Sequence, residues 1–175
     1  MYRRPMQTAS MPLDAIELRR LLEQVWIPAW AAHPYTRAVA GVALEQAGAP
    51  MNPDDDRGRA LAIGRWLRAR IRYAPELGEI VESPGWVLRH RVADCDGMTW
   101  TVGALCASVG LRVRVRLAYV LRHGALLPMH VYPEVLDRRD GVWVPLDLAL
   151  PCELGAPTGP ALEDAARRAR GGILR

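Results

Sequence analysis

A chain of 175 residues that is 50% hydrophobic suits one domain with a real core and is short for several. No apolar run approaches the roughly 20 residues of a membrane span, and no apolar stretch follows the basic start Met1-Tyr2-Arg3-Arg4-Pro5 as a secretory signal requires, so the expected location is cytoplasmic. The net charge of +4 is spread along the chain and gives no basis for nucleic-acid binding, and three cysteines do not make a disulfide framework. All 23 basic residues are arginines; lysine and phenylalanine are absent, which a GC-rich coding sequence explains because the codons for both are AT-rich.

After a polar, loose start (Met1 to Met11), apolar residues at Leu13, Ile16, Leu21, Leu22 and Val25 recur near helical spacing and predict a helix over Leu13 to Trp30, disturbed at its end by Pro28 and Pro34. A second helix spans Thr36 to Gln46 and stops at Gly48-Ala49-Pro50. Asn52-Pro53-Asp54-Asp55-Asp56 then opens a third, with carboxylates at the positive end of the dipole; it runs to about Tyr73 with Leu61, Trp66, Leu67 and Ile71 inward. The prolines and glycines of Ala74 to Ala93 mark a connection that can hold a short helix. Asp96 to Val109 is a clear helix ended by Gly110.

From there on the chain reads as extended. Val113, Val115 and Leu117 alternate with Arg112, Arg114 and Arg116, the period-2 pattern of a half-buried strand whose arginine face is wet. Val131 to Leu136 and Val142 to Leu148 form two more strands around Asp137-Arg138-Arg139-Asp140-Gly141, and Gly159 to Arg170 is a short basic helix. Helices first and an antiparallel sheet after them is an α+β plan, taken here as one domain with a helical part (1–70), a core (71–150) and a tail (151–175).

Three residues carry chemistry. With Asp94 as N-cap, Cys95 occupies the first helical position, where free backbone N–H groups and the dipole lower a thiol pKa; the flanking carboxylates oppose that shift, so a cationic partner is needed. Cys95, Met98, Val102, Leu105 and Val109 share one helical stripe, which turns the sulfur toward the sheet. His130 and Asp147 have their midpoint between Arg138 and Arg139, so a symmetric hairpin makes them directly opposed cross-strand neighbours. On that register His130, Tyr132 and Glu134 share a face with Trp143, Pro145 and Asp147. A carboxylate beside an imidazole fixes its tautomer and stabilises its cation, which can in turn hold a thiolate.

Asp94-Cys95-Asp96-Gly97-Met98 opening an apolar helix, His130-Val131-Tyr132-Pro133-Glu134-Val135, and Trp143-Val144-Pro145-Leu146-Asp147 together resemble the transglutaminase-like superfamily over roughly Ile71 to Leu148, in particular its short microbial and phage-encoded members. The resemblance implies a papain-like core, a Cys-bearing helix packed on an antiparallel β-sheet, here with extra N-terminal helices. It also implies Cys95 as nucleophile, His130 as base then acid and Asp147 as orienter, acting by acyl transfer or amide hydrolysis through a thioester, with no cofactor. Many relatives have Gly-Asp-Cys and a further acidic residue after the motif, where this chain has Ala93 and Gly97. The expected partner is a protein or peptide substrate rather than a membrane or nucleic acid, and without lysine the chain offers no side-chain amine as its own acyl acceptor. The backbone N–H of Cys95 is the first oxyanion donor, and the indoles of Trp86 and Trp100 are candidates for the second. Ala74 to Ala93 and Leu121 to Pro128 are the expected cleft walls. A catalytically idle assembly module and, more weakly, a metal site built on Cys95, His130 and Asp147 are the alternative readings.

Overall fold

The computed structural model describes residues 15–50, 52–75, 82–122 and 125–163; the expected loose start and the outer part of the basic tail helix lie outside them. Helix α1 (Ala15–Leu21), a π turn (Leu22–Trp26) and α2 (Ile27–Ala31) form the first helical stretch. Its wide turn has a local cause. Pro28 has no N–H to give Gln24, and the Ile27 N–H reaches back five residues to the Leu22 carbonyl. The extra residue shifts the apolar stripe, so Leu22 and Ile27 are buried while Ile16 and Val25, both expected inward, stand at 59% and 50% exposure.

Helix α3 (Pro34–Gln46) starts two residues earlier than predicted, because the His33 ring accepts the Tyr35 N–H at 3.2 Å and Pro34 needs no partner at that position. Helix α4 (Asp56–Arg68) is capped by Asp55, whose carboxylate accepts the Gly58 N–H at 2.8 Å. It ends before Tyr73, contrary to the predicted length. Ile71 turns into the core, and β1 (Arg72–Tyr73) instead pairs in parallel with β2 (Val92–Ala93). Between them lies α5 (Pro84–His90), the short helix the connection could hold, closed by Arg91 at φ 59°.

Helix α6 (Cys95–Ser108) is the centre of the molecule, buried on nearly every side as an apolar helix of this composition must be. Its predicted stripe does not simply face the sheet. Met98, Val102, Leu105 and Cys106 join Ile63, Leu67, Val87, Val135 and Leu146, whereas Trp100 and Ala104 meet Leu22, Ile27, Val115 and Val131. Gly103 allows the close approach of α2: a Cβ there would stand 2.6 Å from the Ile27 side chain.

The sheet has strand order β3-β4-β5, antiparallel throughout: β3 (Val113–Arg122), β4 (Ala125–Asp137) and β5 (Val142–Pro145). Strand β4 is longer than predicted and holds His130 in its interior; of the expected cleft wall at Leu121 to Pro128, Leu121 and Arg122 lie in β3 and Ala125 to Pro128 in β4. Strand β5 is shorter, ending at Pro145. The β4–β5 register pairs Asp137 with Val142 and Glu134 with Pro145. The hairpin midpoint therefore lies between Arg139 and Asp140, one residue beyond the predicted position. A register change of two leaves every side chain on its predicted face, because faces alternate with period 2.

Candidate active site

The site begins with a cap. The Asp94 carboxylate accepts the N–H groups of Asp96 and Gly97, both at 3.2 Å, and sets Cys95 as the first residue of α6. Thr99, one turn on, has its hydroxyl 2.6 Å from the Cys95 carbonyl and 3.1 Å from the Val131 carbonyl, which ties the helix start to the middle of β4. That edge of β4 is open to α6 because β5 has already ended. Cys95 and Val131 line the same crevice, so the thiol sits beside the residue that follows His130.

The ordinary effect of a helix start on a thiol does not prevail here. Burial, then the carboxylates of Asp94 and Asp96, push the Cys95 pKa up to about 12, against the opposing pull of the Val131 and Cys95 N–H groups. The sequence expectation of a lowered thiol pKa is corrected on that ground: the sulfur is inside the protein edge rather than in the water where the dipole would decide.

His130 Nε2 and Asp147 Oδ2 lie 2.7 Å apart, with His130 9% and Asp147 1% exposed. They are not directly opposed, as the predicted register had them. Continuing the observed register would set Asp147 opposite Tyr132. After Pro145 one more bond, Leu146 N–H to the Pro133 carbonyl at 2.9 Å, holds the chain against β4, and the bend beyond it brings the Asp147 carboxylate diagonally back to the imidazole. The other carboxylate oxygen, Oδ1, accepts the N–H groups of Ala149 and Leu150 at 3.0 and 3.1 Å. With Nε2 committed to Asp147, Nδ1 is the ring nitrogen left to exchange a proton. The Tyr132 ring stacks against the imidazole at 5.8 Å and is itself held by the Thr158 hydroxyl at 2.9 Å.

Cys95, Met98, Thr99, Val131, Tyr132, Leu146 and Asp147 line a narrow crevice. Neither candidate tryptophan reaches it. Trp100 stacks on Trp26 with centroids 4.9 Å apart, and its indole N–H is buried without a partner among the described residues; Trp86 stacks on His90 at 4.1 Å. Tyr73, expected at the end of the third helix and within the stretch that resembles the superfamily, stands in β1 instead. Its pairing with Ala93 sets it two residues from Cys95, and its phenol pKa is raised, first by burial and then by the neighbouring Cys95, Asp94, Asp147 and Asp96 groups. Gly97 also has a local reason: a Cβ there would meet the Glu82 carboxylate at 2.9 Å and the Ala93 Cβ at 3.1 Å. Among the described residues no group of three His, Cys, Asp or Glu side chains is arranged to hold a metal, and no helix is long and apolar enough to cross a membrane.

The family model of the transglutaminase-like superfamily matches residues 45–148, more than half of the chain, and takes in Cys95, His130 and Asp147. The chain belongs to the transglutaminase-like superfamily. Comparison with curated proteins returns no match. Among solved structures, one from Cytophaga hutchinsonii named a "putative cysteine protease" is similar at 19% sequence identity and a TM-score of 0.50 over 70% of this chain. The superfamily core of helix and antiparallel sheet is thus shared, while this chain spans only 41% of that larger protein. The helices before residue 45 lie outside the superfamily match, although through Ile27 and Trp26 they pack directly on α6.

Proposed function

We propose that the protein is a cysteine-dependent acyl-transfer enzyme, a transglutaminase-like peptidase, amidase or acyltransferase, with Cys95 as nucleophile, His130 as base and acid, and Asp147 as orienter. The observation that carries this reading is the buried 2.7 Å contact of His130 with Asp147 on the strand whose next residue, Val131, lines the same crevice as Cys95. Superfamily membership and the name of the structural neighbour support the reaction class.

The raised thiol pKa specifies the order of events. Cys95 rests as a thiol, so His130 Nδ1 takes its proton as the sulfur adds to an amide or ester carbonyl. The carbonyl π electrons move to oxygen, and the Cys95 N–H is placed to donate to the resulting oxyanion. Collapse of the adduct breaks the bond to the leaving amine or alcohol, which receives the proton from the imidazolium and leaves a thioester. Water or an amine then attacks the thioester, with His130 taking the attacking proton and returning it to the sulfur. Asp147 keeps the tautomer correct and stabilises the imidazolium between the two transfers. A protein or peptide is the proposed acyl donor.

A thiol-directed acyl probe tests the reading. It should label the wild type and fail with both Cys95→Ala and His130→Ala. The idle assembly module is the second reading, favoured by the buried, neutral thiol; correctly folded wild type that takes no label would establish it in place of the enzyme.

A further inference from the structure

We propose that Arg68 is a positioning residue for Asp147, acting through the backbone of the turn that carries the carboxylate; the inference rests on the catalytic reading of Cys95, His130 and Asp147. Where β5 stops at Pro145, the chain turns without a strand partner, and the carbonyls of its bend have no ladder to satisfy them. The guanidinium of Arg68, at the last residue of α4, fills that role. Its Nη1 donates to the Cys152 carbonyl at 2.6 Å, and its Nη2 donates to the Asp147 carbonyl and lies 3.4 Å from that of Leu150.

Arg68 forms no ion pair among the described residues, and its buried Nε has no hydrogen-bond partner there. The group is thus aimed with both terminal nitrogens at one turn. The N–H groups of the same turn, from Ala149 and Leu150, go to Asp147 Oδ1. Arg68 therefore takes the carbonyl side of the turn and Asp147 the amide side. With the main chain held at both, the remaining oxygen, Oδ2, faces His130. Removing the guanidinium frees the main chain at Asp147 itself, so the carboxylate would lose its fixed direction although it touches no part of the removed side chain. A planar fork suits three separate carbonyls in a way that a single ammonium does not.

The test uses the full chain and the pH dependence of Cys95 alkylation by iodoacetamide, with Cys95 resolved from Cys152 by peptide mass spectrometry. Wild type should show a rate that depends on His130 and does not follow thiol ionisation alone. Arg68→Met should lower the neutral-pH rate about tenfold and shift the profile toward the continuous rise of an unassisted thiol, with Arg68→Lys between the two. In an Asp147→Asn background Arg68→Met should add no further loss, since the two act as one unit. An unchanged rate and profile in Arg68→Met, or a loss that simply adds to that of Asp147→Asn, would overturn the inference. Arg68→Lys decides the matter should Arg68→Met not fold, with a wild-type profile there counting against the proposal. Equal profiles for wild type and His130→Ala would instead sink the catalytic reading, and this inference with it.

Discussion

The two ends of the β4–β5 ribbon each bury an aspartate, and the difference between their partners separates a fixed ion pair from the imidazole–carboxylate pair proposed to take part in catalysis. At the turn end, Asp56 from the first turn of α4 receives Arg138 at three points: Nε at 2.6 Å, Nη2 at 2.8 Å and the backbone N–H at 3.2 Å. At the open end Asp147 also accepts three nitrogens, two of them backbone and the third His130 Nε2. Both aspartates are 1% exposed. Burial and hydrogen-bond number are therefore alike. Arginine stays charged at any pH the protein meets, so Asp56 and Arg138 hold the hairpin to α4 and do no more. An imidazole can take up and release a proton, so the same kind of carboxylate beside it suits the orienting role proposed for Asp147.

Exchanging the charge at each end should break the comparison most sharply. Asp147→Asn is expected to lower acyl-probe labelling of Cys95 about 10³-fold or more, by loss of the tautomer and of the imidazolium's partner. Asp56→Asn should leave labelling within about twofold. Its effect belongs to stability instead: a loss of about 1–2 kcal/mol in urea unfolding, held to the low end because solvent screens the half-exposed Arg138. The hydrogen bond from Arg138 holds the Asp56 pKa below its usual 3.8. Its stabilisation is therefore complete well above that value and is lost as pH falls below it, so Asp56→Asn should flatten that part of the acid unfolding curve. A large labelling defect in Asp56→Asn would remove the distinction between the two ends.

The cysteines sharpen it further. Cys95 and Cys106 both have thiol pKa values pushed up to about 12, but burial alone does this at Cys106, whereas Asp94 and Asp96 add to it at Cys95. A thiol raised in the folded state contributes no pH dependence below its unfolded value of 9.0, and its stabilisation is lost as pH rises from there toward 12. Cys106→Ala should thus lower stability by about 1 kcal/mol at neutral pH and make the decline between pH 8 and 10.5 shallower, as read by urea midpoints. The smallest effect is expected from Asp94→Asn. Asparagine still caps the helix, so the unfolding midpoint should barely move. With one negative charge gone, the Cys95 pKa should fall and alkylation at pH 9 in the His130→Ala background should rise about threefold, with Cys106 unaffected.

Much of the site was legible because it rests on local rules. Asp94 is the cap and Cys95 the first helical residue, as a short polar side chain before an apolar helix predicts. The shared face of His130 and the Asp147 segment survived a misplaced turn because parity depends only on an even register change. What failed was the distance along the strand. Asp137-Arg138-Arg139-Asp140-Gly141 admits two hairpin midpoints, and the choice is made by Asp56 gripping Arg138 from α4, 82 residues away in the chain. The same holds for Tyr73 and Arg68. Helical spacing carries the predicted helix to Tyr73, and only the β1–β2 pairing takes it out of the helix and beside Cys95. Nothing near Arg68 in the sequence sets it apart among 23 basic residues, and it gains its place from carbonyls that converge only after β5 has ended.

The sequence by itself determined the α+β plan, the helix that begins at Cys95 and the face on which His130 lies, because caps and side-chain periodicity are set by residues within a few positions of one another. Tertiary structure alone decided the register of β4 on β5, the bend that returns Asp147 to His130, and the burial that pushes the Cys95 thiol pKa up. Each of these depends on groups distant in the chain, whose packing sets which rung comes last and how far the sulfur is removed from water.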